Sequence, residues 1–508
     1  MVVMNPALHP TVSGFREDRG MSDVLGQFSP ATRDWFSGAF PAPTPAQLGA
    51  WEAIAAGSNV LVVAPTGSGK TLAAFLWAID RLATTPMPDD RNLRTRVLYI
   101  SPLKALAVDV ERNLRSPLVG VIQTAKRLGM SPPEVTVGVR SGDTTSGDRR
   151  LLQRLPPDIL ITTPESLYLM LTASARDTLR GVETVIIDEV HAVASTKRGA
   201  HLALSLERLD LLLEKPAQRI GLSATVRPRE EVARFLAGGT PVTIVAPPST
   251  KKFDLSVVVP VEDMTELGTA PAVREGSAAA STETVQGSIW PHVEEQIVDR
   301  ILEHRSTIVF ANSRRLAERL TARLNEIYAL RQDEFELVVA GGPVEGAREV
   351  PEAGLYGAGL DTGVSIRAPE RPTRPAELLA RAHHGSVSKE QRAFIEDDLK
   401  SGRLRCVVAT SSLELGIDMG AVDLVIQVES PPSVASGLQR VGRAGHQVGE
   451  VSRGIIFPKH RADLIHSAVA SERMSAGLIE AMRIPQNPLD VLAQQTVAAV
   501  ALDSLDVD

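Results

Sequence analysis

The sequence predicts an α/β protein made of two parallel-sheet lobes, each covered by helices. Three observations carry this. Short β-branched runs alternate with helical stretches along most of the chain. One of those runs leads straight into a glycine-rich phosphate-loop pattern. The alternation stops in a polar, non-periodic stretch and then starts again.

The elements follow in order. Residues 1–21 carry Pro, Gly and mixed charge without periodicity and read as a loose tail, with Met21 a second possible start. The first lobe is predicted over 22–250. Asn59–Ala64, Val97–Ser101, Val135–Val139, Ile159–Thr162, Val185–Asp188 and Ile220–Ser223 are apolar runs of the kind that form buried parallel strands. Helical segments Thr71–Leu82, Lys104–Leu114, Arg149–Arg154 and His201–Leu213 lie between them. Residues 251–289 are read as a linker, because 262–288 are small, polar and non-periodic. The second lobe, 290–470, opens with helix Trp290–Glu303, strand Ser306–Ala311 and helix Arg314–Leu330. It closes with strands Arg405–Ala409, Leu424–Gln427 and Gly454–Phe457. Residues 341–376, rich in Gly and Pro, interrupt it as an insertion. Residues 471–508 form a connector and one more helix, Asn487–Leu505, with Pro488 near its start. Its apolar residues cover most of its surface, so it requires burial on more than one side.

Composition narrows the function classes. At 508 residues the chain has room for about three domains. A single cysteine, Cys406, excludes an internal disulfide framework and a cysteine-rich zinc site. Its place in an apolar run makes it an inert core residue. No apolar run approaches the ~18 residues of a membrane span, and no secretory leader is visible, so a cytoplasmic protein is expected. The net charge of −7 argues against a surface coated with nucleic acid but leaves room for a local basic groove.

Ala64–Thr71 (APTGSGKT) carries the strongest chemical signal. Gly67 and Gly69 let the backbone turn so that N–H groups, including those of Thr66 and Ser68, converge on phosphate oxygens. The helix N-terminus adds its dipole. Lys70 is suited to the β- and γ-phosphates and Thr71 to Mg²⁺. A second signal, Asp188-Glu-Val-His191, ends an apolar strand. A carboxylate at the carboxyl end of a neighbouring parallel strand stands beside the phosphate loop. Asp188 can hold Mg²⁺, and Glu189 can orient and deprotonate an attacking water.

In this context the ordered motifs resemble those of superfamily-2 nucleic-acid helicases, whose motor lobes are RecA-like. Pro43–Gln47 resembles the glutamine motif, Ala64–Thr71 motif I, Ser101–Leu106 motif Ia and Thr162–Ser166 motif Ib. Asp188–His191 (DEVH) resembles motif II and Ser223–Thr225 motif III. Val309–Arg315, Val408–Asp418 and Gln439–His446 (QRVGRAGH) resemble motifs IV, V and VI. The wording, including His383–Ser388 (HHGSVS) and Asn487–Gln495 (NPLDVLAQQ), is most similar to the large helicase-related (Lhr) family. In that family a winged-helix domain follows the two motor lobes, and only its opening is expected here.

The resemblance implies roles residue by residue. Gln47 contacts adenine; Phe36 and Phe40 are read first as core residues and second as stacking partners. Arg443 and Arg440 are the candidates to approach the γ-phosphate, since a guanidinium is rigid and permanently charged. His446 stands where the family pattern has a further arginine. Gly416 and Asp418 fall near the ribose. Pro102, Lys104, Thr163, Pro164, Ser166, His384 and Thr410 occupy positions that touch sugar-phosphate. Arg140 and Thr145 are added from the residues themselves, a polar turn after a predicted strand. His191, Ser223 and Thr225 link hydrolysis to the nucleic-acid face. Implied throughout are ATP and Mg²⁺ as cofactors, and single-stranded DNA with a DNA or RNA:DNA duplex as partners. The activity implied is 3′–5′ translocation and unwinding in DNA repair. The alternatives are an RNA-directed helicase and a fragment that binds nucleic acid without unwinding it.

Overall fold

The computed structural model describes residues 24–248, 251–261, 289–339, 378–414, 420–445 and 450–502. The tail 1–21, the insertion 341–376, and Gly416, Asp418 and His446 lie outside the described residues.

The chain enters through α1 (Pro30–Ala39) and α2 (Pro45–Ala55). Both start in the manner expected of proline in the first turn behind a hydroxyl cap. Ser29 accepts from the Thr32 amide, while Thr44 and Gln47 form a reciprocal capping box. There follow β1 (Asn59–Val63), α3 (Lys70–Thr84), β2 (Val97–Ile100), α4 (Lys104–Arg127) and β3 (Val137–Arg140). Next come α5 (Ser146–Arg154), β4 (Ile159–Thr162), α6 (Pro164–Leu171), β5 (Thr184–Ile187), α7 (His191–Ala194) and α8 (Lys197–Asp210). β6 (Gln218–Ser223), α9 (Arg229–Ala237), β7 (Val242–Val245) and β8 (Lys252–Val257) complete this half. The seven-stranded parallel sheet has the order β3-β4-β2-β5-β6-β1-β7.

The strand pleat divides the core in two. Val60 and Val62 of β1 belong to one apolar cluster, with Trp51, Phe75 and Tyr99; Leu61 and Val63 belong to another, with Leu167, Leu202 and Leu236. Trp51 is fully buried, and its indole N–H donates to the Ala73 carbonyl at 2.9 Å, tying α2 to α3. Truncating a packed aromatic of this kind costs about 3–5 kcal/mol.

The second half supplies α10 (Trp290–Glu303), β9 (Thr307–Phe310), α11 (Arg314–Val339), β10 (Ala380–His383), α12 (Lys389–Lys400) and β11 (Cys406–Ala409). It continues through β12 (Leu424–Val428), α13 (Val434–Val441), β13 (Val451–Phe457), α14 (Arg461–Ser475) and α15 (Leu489–Val500). Parallel pairing gives the strand orders β10-β11-β9 and β12-β13-β8. Cys406 is fully buried in β11, and burial raises its thiol pKa.

Compactness divides the chain elsewhere than sequence alone suggested. Met1–Val258 and Ser411–Asp508 form one unit, and Val259–Thr410 another. Part of the reason is a segment after α14 that runs back over the first sheet. The Met482 amide donates to the Arg227 carbonyl at 2.6 Å, and Met482 and Ile484 pack on its core. α15 then lies on α8, where Gln495 donates to Ser205 Oγ and accepts from Arg208, both at 2.9 Å. Val491, Gln495 and Ala498 are buried there; Leu489, Leu492, Val497 and Val500 stay exposed.

Two local readings need correction. Within the linker expected over 251–289, Lys252–Val257 is a strand that pairs in parallel with β13. Its exposed and half-buried residues alternate, and no apolar run announces it. The helix predicted to end at Leu114 runs to Arg127 through Pro117, because Leu118, Val121 and Ala125 keep its apolar face on the core. Among the described residues no helix is long and apolar enough to cross a membrane.

Candidate nucleotide site and its surroundings

β1, β6 and β5 lie side by side, so the phosphate loop, Ser223 and Asp188 leave the sheet at one carboxyl edge. Gly67 and Gly69 take φ of 79° and 77°, the left-handed backbone in which a Cβ is strained. Gly69 is also the N-cap of α3, so the first N–H groups of that helix face the loop. Lys70 is buried and donates from Nζ to the Ala64 and Pro65 carbonyls at 2.5 and 2.8 Å. Burial lowers its pKa, and Glu189 and Asp188 oppose that.

A cleft of about 490 Å³ opens here. Its walls are Thr66–Leu72, Asp188, Glu189 and Arg443, with Trp35, Phe40 and the α4 residues Asp109 and Asn113 farther along. It therefore brings together the predicted Thr66, Gly67, Ser68, Gly69, Lys70, Thr71, Asp188, Glu189 and Arg443. Arg443 is 2% exposed and donates to the Glu414 carbonyl at 3.0 Å.

The acids are held under tension. Asp188 is buried, accepts from the Glu189 amide at 2.9 Å, and accepts the Tyr99 hydroxyl proton on its other oxygen. Its pKa is pushed up to about 7, first by burial and then by Glu189 beside it. Glu189 has φ of 42°, a sparsely populated conformation for a non-glycine residue. Two adjacent buried carboxylates and the Thr71 hydroxyl make a hard oxygen donor set. That set fits a divalent cation such as Mg²⁺, which would relieve the charge.

His191 wires this site to two other motifs. The Ala224 amide donates to Nδ1 at 3.3 Å, and Ser223 Oγ stands 3.1 Å from the same nitrogen. The Glu189 carboxylate also stands 3.5 Å from Nδ1. The Gln439 side-chain nitrogen stands 2.9 Å from Nε2. Burial lowers the His191 pKa, and Glu189 opposes that. Thr225 is exposed and lies outside this chain of contacts.

Several predicted residues sit elsewhere than expected. Gln47 is 4% exposed and does not line the cleft: its amide accepts from Thr44 N at 2.9 Å and donates to the Gly69 carbonyl at 3.4 Å. It braces the loop from behind. Arg440 is also internal, donating to Glu414 at 3.1 Å and to Gln427 at 2.9 Å. Phe36 is core, packed against Trp51, whereas Phe40 is 39% exposed and lines the cleft.

The candidate nucleic-acid residues of the first unit follow β2, β3 and β4, which are adjacent. Pro102 is buried, and Lys104 is exposed and paired with Asp143 at 2.6 Å. Arg140 ends β3, with burial lowering its pKa. Thr145 caps α5 through Asp148 N. Thr163, Pro164 and Ser166 are buried, with Thr163 donating to Ser166 Oγ at 3.2 Å. In the second unit His384 is buried, accepts from the Ser386 amide and donates to Glu318. The Thr410 amide there donates to the His383 carbonyl.

Sequence reasoning missed Tyr99 and Lys251, and reached Glu414 and Gln439 only as members of motifs V and VI without a role of their own. Tyr99 did carry a signal. A tyrosine in the middle of a buried strand needs a partner for its hydroxyl.

Comparison with known proteins agrees with this geometry. A DEAD/DEAH box helicase model matches residues 44–234, and a helicase conserved C-terminal domain model matches residues 371–447. The Lhr helicase/probable uracil glycosylase of Mycolicibacterium smegmatis is 65% identical over 96% of this chain and 30% of its own length. The Lhr helicase/uracil glycosylase of Escherichia coli is 57% identical over 95% of this chain and 30% of its own. The structure of Mycobacterium smegmatis helicase Lhr bound to ssDNA and AMP-PNP superposes with a TM-score of 0.78 at 63% identity. That match covers 95% of this chain and 54% of the solved one. The chain thus spans about a third of the bacterial relatives it matches.

Proposed function

The chain belongs to the large helicase-related family of superfamily-2 helicases, and on that premise we propose that it hydrolyses ATP to drive movement along single-stranded DNA. The carrying observation is one cleft in which the phosphate loop, the paired acids and Arg443, from a segment hundreds of residues away, all meet. Thr66–Thr71 cradle the triphosphate, and Lys70 neutralises its β- and γ-oxygens. Thr71 and Asp188 would hold Mg²⁺, which when bound offsets phosphate charge. Glu189 orients the attacking water and takes its proton, and Arg443 faces the charge that develops on the transferred group. The cleft's far wall, with Phe40 and Trp35, is the natural place for the base.

Release of that charge reaches other motifs through His191, Ser223 and Gln439. The strand is held by Pro102, Lys104, Arg140, Thr145, Thr163, Pro164 and Ser166, together with His384 and Thr410 by family likeness. Movement 3′–5′, unwinding of DNA or RNA:DNA duplexes, a cytoplasmic setting and a part in DNA repair complete the reading. Two measurements test it. ATP turnover is titrated with single-stranded DNA and with RNA, and unwinding is followed on 3′- and 5′-tailed duplexes. DNA-stimulated turnover that Lys70→Ala abolishes supports the reading. Near-normal turnover in that variant, or stimulation by RNA alone, overturns it.

A further inference from the structure

The turn that carries Arg443 is held from behind by Thr66 of the phosphate loop and by Lys251, a side chain the proposed chemistry does not use. Gly442 caps the C-terminus of α13, where helix carbonyls lack intrahelical partners. Its carbonyl accepts from Lys251 Nζ at 2.9 Å and from Thr66 Oγ1 at 3.4 Å. Lys251 precedes β8 and lines a second cavity, of about 310 Å³, with Pro65, Thr66, Phe253, Leu438 and Gly442. Thr66 lines both that cavity and the nucleotide cleft, so the two share one wall.

The other end of α13 is gripped as well. Glu480 accepts from the Val434 and Ala435 amides at 2.7 and 3.2 Å. An eight-residue helix thus has an anion at its N-terminus and a cation at its C-terminus, each matching the helix dipole. The lysine is in an adverse electrostatic position. Burial first, then Arg443 and Lys70, lower its pKa to about 8, and Glu450 opposes them. An ammonium held against two like charges needs a compensating acceptor, and the Gly442 carbonyl supplies one.

We propose that Lys251 is a positioning residue for ATP hydrolysis: by fixing the Gly442 carbonyl it sets where the Arg443 guanidinium stands against the phosphate loop. This rests on Arg443 acting as the transition-state cation. A double-mutant cycle tests it on the full 508-residue chain with single-stranded DNA present. Lys251→Met should lower kcat about tenfold while KM for ATP moves less than about twofold. Lys251→Arg, which keeps a donor, should recover most of the loss. Lys252→Met, one residue on and exposed, should leave turnover unchanged. In an Arg443→Ala background, Lys251→Met should change kcat by less than about twofold, because its effect passes through that arginine. Undiminished kcat in Lys251→Met overturns the proposal, and so does an equal loss in both backgrounds. If Lys251→Met melts below the assay temperature, Lys251→Gln is judged by the same criteria. Undiminished turnover in Arg443→Ala alone removes the premise, a failure read independently of Lys251.

Discussion

The cleft beside the phosphate loop and the polar turns after β2, β3 and β4 are both built at the carboxyl edge of one sheet, yet they differ in kind. In the cleft, Lys70, Asp188, Glu189 and Arg443 are all less than a tenth exposed, two cations and two anions taken together out of water. Along the turns, the polar groups satisfy one another locally: Thr145 caps with Asp148, Thr163 pairs with Ser166, and Lys104 pairs with Asp143. A small, highly charged ligand calls for a desolvated, convergent site. A polymer backbone is held by many weak, spread contacts that also serve as ordinary caps.

The largest effect should come from breaking the convergent side. Glu189→Gln keeps shape and removes the base, and it should lower DNA-stimulated turnover roughly 10²–10³-fold with nucleotide affinity retained, as read by single-turnover kinetics and equilibrium binding. A smaller loss would move the base elsewhere.

The two motif VI arginines should separate next. Arg443→Ala should reduce kcat about 10³-fold, a loss read by single-turnover kinetics. Arg440→Ala should instead destabilise by about 3 kcal/mol in denaturant unfolding, because it leaves the half-buried Glu414 and the buried Gln427 without their guanidinium. The reverse pattern would exchange their roles.

The turns should respond weakly and in two distinguishable ways. Lys104→Ala should weaken DNA binding a few-fold and reduce the slope of log affinity against log salt by about 1, as one phosphate contact is lost. Thr163→Val should lower stability by about 1 kcal/mol, the worth of a buried hydroxyl hydrogen bond, and leave the salt slope unchanged. A salt slope that stays put in Lys104→Ala would place the strand away from β2.

Much of this was legible in sequence. Apolar runs located β1, β2, β4, β5 and β6, because a strand buried on both faces leaves no polar residues to hide it. The loop 64–71 was legible because φ near 80° needs glycine at set spacings before a helix. β8 was not, since an edge strand with Lys252 and Asp254 reads as polar linker until β13 supplies its partner.

What the sequence by itself determined is therefore the local chemistry: a strand, a glycine turn, a helix N-terminus and a pair of acids closing a neighbouring strand. Local spacing settles these, because backbone dihedrals and helix caps depend on residues a few positions apart. Only the tertiary structure decided which arginine enters the cleft, that Gln47 braces the loop, that Tyr99 holds Asp188, and that residues from Ser411 onward pack with the first sheet. Each of those rests on a contact between residues from tens to hundreds of positions apart, and the burial that gives it force exists only once the chain has closed on itself.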